Sequence, residues 1–408
     1  MPAAENLLNG LEDQLFGELT VAKIWGVAAS KLQDQNPPTE FPEHSYGKYQ
    51  YNPIDYWTSG FFPGSVWALV ERSIKYPKHF PLDKLNPVKL QYAARWWATN
   101  LPGQATRTNT HDLGFVFCPS FIREYELFGT QESLDVLVTA ANSLATRFDE
   151  KIGCMRSWDE SHNKEIHFTD KKKDFLVIID NMCNLDLLYY VAAKTGDLRL
   201  STIATKHAET TLKNHFRYPE WSCYHVVNYD QETGEPKAKF THQGYEDESA
   251  WSRGLSWAVL GFAEAYGWTK KQQFLEAAIN SAEYFFSRLS EDGVPAWDFD
   301  APSNNIKDVS AAMATALGLL KIYEHTKDNK FLEKGVKLVS DTLKFTYNGE
   351  SRFTTDGSVE SEKDTLLDHS TMNNNEHAIR RHADHGLVYA DYYFLAVGNK
   401  LLELGVII

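Results

Sequence analysis

Apolar residues recur at helical spacing along nearly the whole of this 408-residue chain, and clean alternating strand patterns are scarce. The periodicity predicts twelve helical segments, over residues 12–33, 60–76, 88–100, 112–128, 131–148, 182–195, 198–215, 249–267, 271–289, 309–325, 328–346 and 384–398. Several pair across short polar turns such as "FGTQES", "AKTGDLRL" and "HTKDNKF", as antiparallel helical hairpins do. No literal repeat and no Pro/Gly/Ser-rich linker divides them, so residues 1–408 are expected to form a single domain. Six hairpins without a break predict a closed toroid of six inner and six outer helices. "FLEAAINSAEYFFSRL" has a charged face and reads as an outer helix, whereas "DVSAAMATALGLLKIY" is small and apolar nearly all round and reads as an inner one. The inserts "YGKYQYNPIDYW", "MRSWDESHNKEIHFTDKKKD", "CYHVVNYDQETGEPKAKFTHQGYEDES" and "PAWDFDAPSNNIKD" are aromatic and polar. In a helical toroid such loops gather at one mouth and build the site.

A formal net charge of −14 argues against nucleic acid or an anionic membrane surface as partner. An anionic substrate would need a local basic group to offset that field. The 11 Trp, 20 Tyr and 23 Phe suit a large core and also a cleft that stacks on sugar rings. "MPAAENLLNGLEDQL" carries acids and no apolar h-region, and no apolar run approaches membrane-spanning length. A cytoplasmic protein without a signal peptide is the expectation. Cys118, Cys154, Cys183 and Cys223 lie far apart and form no C-x-x-C pair, which agrees with reduced thiols. The 14 histidines show no metal-ligand spacing such as H-E-x-x-H, so neither a metal nor another cofactor is expected.

Four stretches are able to carry chemistry. In "YWTSGFFPGSVWALVE", Trp57 and Phe61 are four apart and share a face if helical, as a core stripe or as a stacking platform. In "THDLGFVFCPSF", Asp112 follows His111 and precedes an apolar helix, where an N-cap is the local reading. In "FLVIIDNMCNLDLLYY", Asp180 ends an apolar run; it is a helix cap or a carboxyl whose surroundings change its chemistry, while Asp186 reads as a structural acid. Two acids at the starts of inner helices point at a common cavity, and paired carboxylates are how enzymes keep one acid protonated near neutrality. In "THQGYEDESAWSRGLSWAV", Arg253 and Trp257 share a helical face, with His242 and Gln243 in the loop ahead. Arginine beside an amide donor suits a substrate carboxylate, with Trp257 stacking on the ring that bears it. Pairing of Arg253 with Glu246, Asp247 or Glu248 is the alternative.

Together these residues resemble glycoside hydrolase family 88, the unsaturated glucuronyl hydrolases. The likeness rests on "YWTSGFFPGSVW", "HDLGF", "IDNMCNLDLLYY", "HQGYEDESAWSRGLSWA", "PAWDFDAP" followed by "KDVSAAMATALGLL", and "YADYYFLAV", in the family's order from about residue 50 to 397. The resemblance implies an (α/α)6 barrel. It implies Asp180 as general acid and base, and Asp112 as the second essential carboxylate. Gln243 and Arg253 are implied to hold the uronate carboxylate, His242 and Trp257 to line the same subsite, and Trp57, Phe61, His111, Trp158 and His225 to complete the wall. The implied substrate is a lyase-derived oligosaccharide whose non-reducing uronic acid carries a C4=C5 double bond, removed by hydration of that vinyl ether. Asp180 must then hold a proton well above the usual Asp value of about 3.9, which burial beside Ile178 and Ile179 and the charge of Asp112 would promote. Three alternatives are an unsaturated rhamnogalacturonyl hydrolase acting on pectin fragments, a sugar epimerase using His225 and His242 as a proton-shuttling pair, and a non-catalytic relic, which both acids argue against. "LDHSTMNNNEHAIRRHADHG" is either a solvated loop or a wall of the leaving-sugar site, with Arg380 and Arg381 as anion contacts.

Overall fold

A computed structural model describes residue 8, residues 10–303 and residues 305–407 of the protein. The opening of "MPAAENLLNGLEDQL" and Asn304 lie outside the described residues. Twelve helices carry the architecture: α1 (Glu18–Ala29), α2 (Phe61–Lys75), α3 (Pro87–Ala98), α4 (Leu113–Phe117, continued by Cys118–Ile122 and Arg123–Phe128), α5 (Gln131–Ala145), α6 (Leu185–Thr195), α7 (Leu198–Asn214), α8 (Ser252–Thr269), α9 (Gln272–Ser287), α10 (Val309–Thr326), α11 (Asn329–Thr346) and α12 (Val388–Glu403). The even-numbered helices form the inner ring. α8 packs on α10, α10 on α12, α12 on α2, α2 on the middle of α4, α4 on α6 and α6 on α8. This is the (α/α)6 barrel that the helix count and the family resemblance both predict.

Burial explains which helices go where. α10 is buried from Val309 to Leu320, because its small side chains let neighbouring helices approach on both sides. α11 buries one stripe, Phe331, Leu332, Val336, Val339 and Leu343, and turns Lys330 and Lys334 outward to Glu283 of α9. Asn86, Asp197, Asp308 and Asp328 cap α3, α7, α10 and α11 by accepting from the backbone N–H two residues on. The ring is closed between its first and last parts by Arg72 of α2. Its buried guanidinium donates to Leu15 O at 2.7 Å, Leu395 O at 3.3 Å and Asn399 Oδ1 at 2.9 Å.

The segment expected over 12–33 is broken at Gly17, whose extended backbone (ψ 168°) separates a short turn, Glu12–Phe16, from α1. The last helix starts later and ends later than 384–398, because Gly386–Leu387 pairs as a strand before it. Pro119, which has no N–H to donate, sits in a wider π turn in the middle of α4.

The inserts hold more strand than their sequences suggest. β1 (Glu40–Ser45), β2 (Tyr49–Pro53) and β6 (Gly386–Leu387) form one antiparallel sheet. β3 (Phe175–Ile178), β4 (Val226–Tyr229) and β5 (Pro236–Phe240) form another, with Val226 opposite both Ile178 and Phe240. The second sheet joins the insert before α6 to the insert before α8. No helix among the described residues is long and apolar enough to cross a membrane. All four cysteines are free thiols.

The inner helix starts touch through glycine. A Cβ at Gly60, just before α2, would lie 2.3 Å from Val116 O and 2.4 Å from Phe115 O of α4; one at Gly114 would lie 2.7 Å from Asn184 Cα. Backbone cannot swing aside as a side chain does, so Gly60→Ala is expected to cost about 1–3 kcal/mol, read from the urea midpoint. An unchanged midpoint would show slack at this crossing.

Candidate active site

A cavity of about 330 Å³ opens at the mouth where the inner helices begin. Tyr56 and Trp57 line it from the turn before α2, Asp112 from the start of α4, Asp180 from the turn before α6 and Arg253 from the first turn of α8. The inserts supply Trp158, His242 and Gln243, and the segment before α12 adds Met372, Asn373, Arg380 and His382. Residues some 320 positions apart in the chain therefore share one wall.

β3 delivers Asp180. Its last residue, Ile178, donates its N–H to Ser157 Oγ at 2.9 Å, and Ile179 N–H donates to His225 O at 3.0 Å, which pins the backbone on both sides. Asp180 then falls in a 3₁₀ turn, Ile179–Asn184, and its side chain caps no helix. The capping role is thus not what this carboxyl does. It is 8% exposed, and its Oδ2 has no hydrogen-bond partner in the protein. Burial is the largest influence on its proton and pushes its pKa up to about 7; Arg253 pulls it down and Asp112 pushes it up. His225 Nε2 lies 3.8 Å from Oδ2. Because His225 Nδ1 accepts from His242 N–H at 3.1 Å, the ring proton of the neutral imidazole sits on Nε2 and faces the acid. Burial holds His225 far below its ordinary pKa, with His242 and Arg253 adding to the effect.

Asp112 occupies the N-cap position of α4, its carbonyl accepting from Val116 N–H at 3.0 Å, but its carboxylate makes no capping bond. Instead Oδ2 accepts from Thr110 Oγ1 at 2.8 Å and Oδ1 lies 3.2 Å from His111 Nε2. His111 is oriented from its far side by Nδ1–H donating to Ser157 O at 3.0 Å. Ser157 thus braces both acids, through its hydroxyl on one side and its carbonyl on the other.

Arg253 is buried, and its partner is none of Glu246, Asp247 and Glu248. Nη1 pairs with Asp308, the N-cap of α10, and donates to Thr371 O at 2.6 Å; Nη2 donates to Met372 O at 2.6 Å. Gln243 Nε2 donates to the same Met372 carbonyl at 2.9 Å, which locks the amide and the guanidinium to one point. Burial opposes the charge of Arg253, yet Asp308, Tyr389 and Asp180 outweigh it and raise the pKa above the ordinary value. The rings of Trp251 and Tyr389 flank the guanidinium carbon at 4.7 and 5.5 Å.

Three expected wall residues stand behind the cavity surface. Phe61 and Trp257 are fully buried, in an aromatic cluster where Phe115 touches both at 5.5 and 5.3 Å between ring centroids. Their helical spacing gave the correct face but not the depth, so Trp257 is not a stacking platform. His225 is buried behind Asp180, with Trp158 edge-on to it at 5.7 Å and Trp251 tilted against it at 4.5 Å. Trp57, His111, Trp158, His242, Gln243 and Arg253 do line the cavity. Asp186 accepts from Trp268 Nε1 at 2.6 Å, as a structural acid does. Arg380 lines the cavity, whereas Arg381 gives its Nε to Asn375 O. Sequence reasoning missed Asp308 and Tyr389. Asp308 carried a signal, since D-V-S at the start of an apolar helix is a cap; Tyr389 stood within "YADYYFLAV" with nothing to mark its hydroxyl as unpartnered.

No protein-family profile matches the chain. It is 35% identical over 352 residues to an unsaturated glucuronyl hydrolase of Formosa agariphila, covering 83% of this chain and 78% of that one. An unsaturated chondroitin disaccharide hydrolase of Streptococcus pyogenes is 30% identical over 305 residues, 72% of this chain and 71% of its own. Among solved structures, an unsaturated glucuronyl hydrolase specific for heparin superposes with a TM-score of 0.78 at 29% identity, over 97% of this chain and 99% of that one.

The raised pKa of Asp180 carries a stability cost of known sign. The native carboxyl keeps its proton to about pH 7, whereas an unfolded one releases it near 3.9. Stability present below pH 4 is therefore lost as pH rises through 7, by about 4 kcal/mol at most. Asp180→Asn, which cannot ionise, should match wild type near pH 4 and gain on it up to pH 8 in thermal unfolding. A difference that does not vary with pH would show that Asp180 is not held protonated.

Proposed function

The chain belongs to the unsaturated glucuronyl hydrolases, and from that premise we propose how its own residues divide the work. The enzyme removes a 4,5-unsaturated uronic acid from the non-reducing end of lyase-generated oligosaccharides by hydrating the vinyl ether. Relatives acting on glucuronyl and chondroitin substrates do not favour the pectin alternative. The observation that carries the assignment is Asp180: a carboxyl at the cavity wall, near half-protonated at neutral pH, beside a second carboxylate, Asp112, and the Arg253 guanidinium.

Asp180 delivers its proton to C4, and the C4=C5 π electrons form the new C–H bond. Positive charge develops at C5 and is shared by the ring oxygen. The Asp180 carboxylate then takes a proton from water as the water oxygen bonds to C5, so the residue ends as it began. The C5 hemiketal opens to a ketone, the former anomeric carbon becomes an aldehyde, and the leaving sugar departs with its hydroxyl. Because no bond to the anomeric carbon is attacked, the carboxylate spacings of retaining and inverting glycosidases do not govern the outcome. Asp112 holds sugar hydroxyls and keeps negative charge near Asp180, which favours the protonated acid. Arg253, with Nε and one Nη2 hydrogen uncommitted, presents a fork to the uronate carboxylate, and Gln243 stands beside it through their shared Met372 carbonyl. Trp57 and Trp158 supply ring faces, and His242, held neutral by burial at a pKa of about 4, is a polar contact without added charge.

The test follows ultraviolet absorbance of the conjugated enol ether on mixing with an unsaturated disaccharide. Wild type should abolish it, with kcat/KM falling above about pH 7 as Asp180 loses its proton. Asp180→Asn should fold and lose roughly 10²–10⁴ in rate. Sustained turnover by that variant removes Asp180 from the mechanism; no absorbance loss with folded wild type removes the activity.

A further inference from the structure

Arg253 poses a difficulty for the acid it neighbours. A guanidinium near a carboxyl favours the ionised form, yet the proposed reaction needs Asp180 protonated. Asp308 answers it. This residue is fully buried, caps α10 by accepting from Ser310 N–H, accepts from Ser310 Oγ at 2.5 Å, and pairs directly with Arg253 Nη1. The Thr371 carbonyl takes the second Nη1 hydrogen and the Met372 carbonyl one of Nη2, so three of the five donors fix the guanidinium beside Asp308. Nothing in the mechanism above uses Asp308, and it does not line the cavity.

The geometry points to Asp308 as a positioning residue that lets Asp180 keep its proton, by cancelling the charge of Arg253 and fixing its guanidinium in place. The inference rests on Asp180 being the acid of the proposed reaction. The charged and titratable groups facing Asp180 are Arg253 from α8, Asp112 from the start of α4, the neutral His225 at 3.8 Å from the loop before β4, the Tyr389 hydroxyl from α12, and the thiols of Cys183 and Cys223, these last three held protonated by burial. Arg253 is the single cation among them. Its balance with Asp308 is therefore the electrostatic setting that a substitution shifts in either direction.

The experiment is the pH profile of kcat/KM on an unsaturated disaccharide for three variants, which reports the free enzyme's acid. Asp308→Asn leaves a lone cation, so the basic limb should move down by roughly one unit. At pH 7 activity would then fall about fivefold and recover as the pH is lowered to about 5.5, the protonated fraction changing from about a half to about a tenth. Arg253→Gln leaves a lone anion, and its limb should move up although KM rises. The double variant Asp308→Asn with Arg253→Gln restores neutrality, and its limb should lie near that of wild type. Circular dichroism and thermal unfolding check that each is folded. If Asp308→Asn does not fold, the other two decide, since the limb of Arg253→Gln must lie above that of the double variant. A loss that is equal at all pH values in Asp308→Asn, or coincident limbs in the other two, overturns the inference. Failure of wild type to consume the disaccharide would instead overturn the reaction itself.

Discussion

Desolvation of one carboxyl is the constraint around which this mouth is arranged. In the proposed reaction Asp180 is dry enough to hold a proton near neutrality and close enough to the cavity to give it away. A strand is suited to that task, because β3 and β4 satisfy their backbone groups against each other and bring Ile178 and Val226, both buried, up to the acid. A solvated loop at this position would have left Asp180 near its ordinary value. Ser157 then fixes the arrangement, holding Ile178 by its hydroxyl and His111 by its carbonyl, so that the two acids are braced from one residue.

Charge is the second theme. A protein of net charge −14 that binds an anionic sugar has to create a local exception to its own field. Part of that exception is geometric: the cavity lies where inner helices begin, and helix N-termini carry partial positive charge from unpaired N–H groups. Arg253 adds a full charge, but one already shared with Asp308, so in the proposed assignment the cation recognises without dominating. Arg380 lies at the wall without an ion pair among the described residues, on the same segment as Met372 and Asn373.

The helical frame was legible because each helix writes its buried face into the chain at 3.6-residue spacing, and α10 against α9 shows how inner and outer helices differ in composition alone. β3 was not legible as a strand, since a short apolar run buried on both faces has no alternation to display. Asp112 and Asp180 were legible as positions but ambiguous as roles, because an acid before an apolar helix is also what a cap looks like. Phe61 and Trp257 were placed on the right face at the wrong depth, a distinction that depends on which neighbours reach the mouth first. The partner of Arg253 was beyond local reasoning: three acids stood within seven residues of it, and the one that binds it lies 55 positions away.

A raised carboxyl pKa does not by itself mark the acid of this enzyme. Asp391 and Glu264 are also pushed up to about 7, in each case chiefly by burial. Yet Asp391 has both oxygens engaged, Oδ2 by Leu366 N–H at 2.9 Å and Tyr49 OH at 3.2 Å, and Oδ1 by Leu367 N–H at 3.1 Å. It holds the segment before α12 to β2 and has nothing left to offer a substrate. Glu264 pairs with Lys321 at 3.3 Å near the far ends of α8 and α10. Asp180 differs in its place, at the wall of the mouth cavity beside Asp112 and Arg253, with its buried Oδ2 turned to His225 and lacking a hydrogen-bond partner. Burial makes all three acids hold protons; in the proposed reaction it is the place of Asp180 at the mouth, beside Asp112 and Arg253, that lets it pass its proton on.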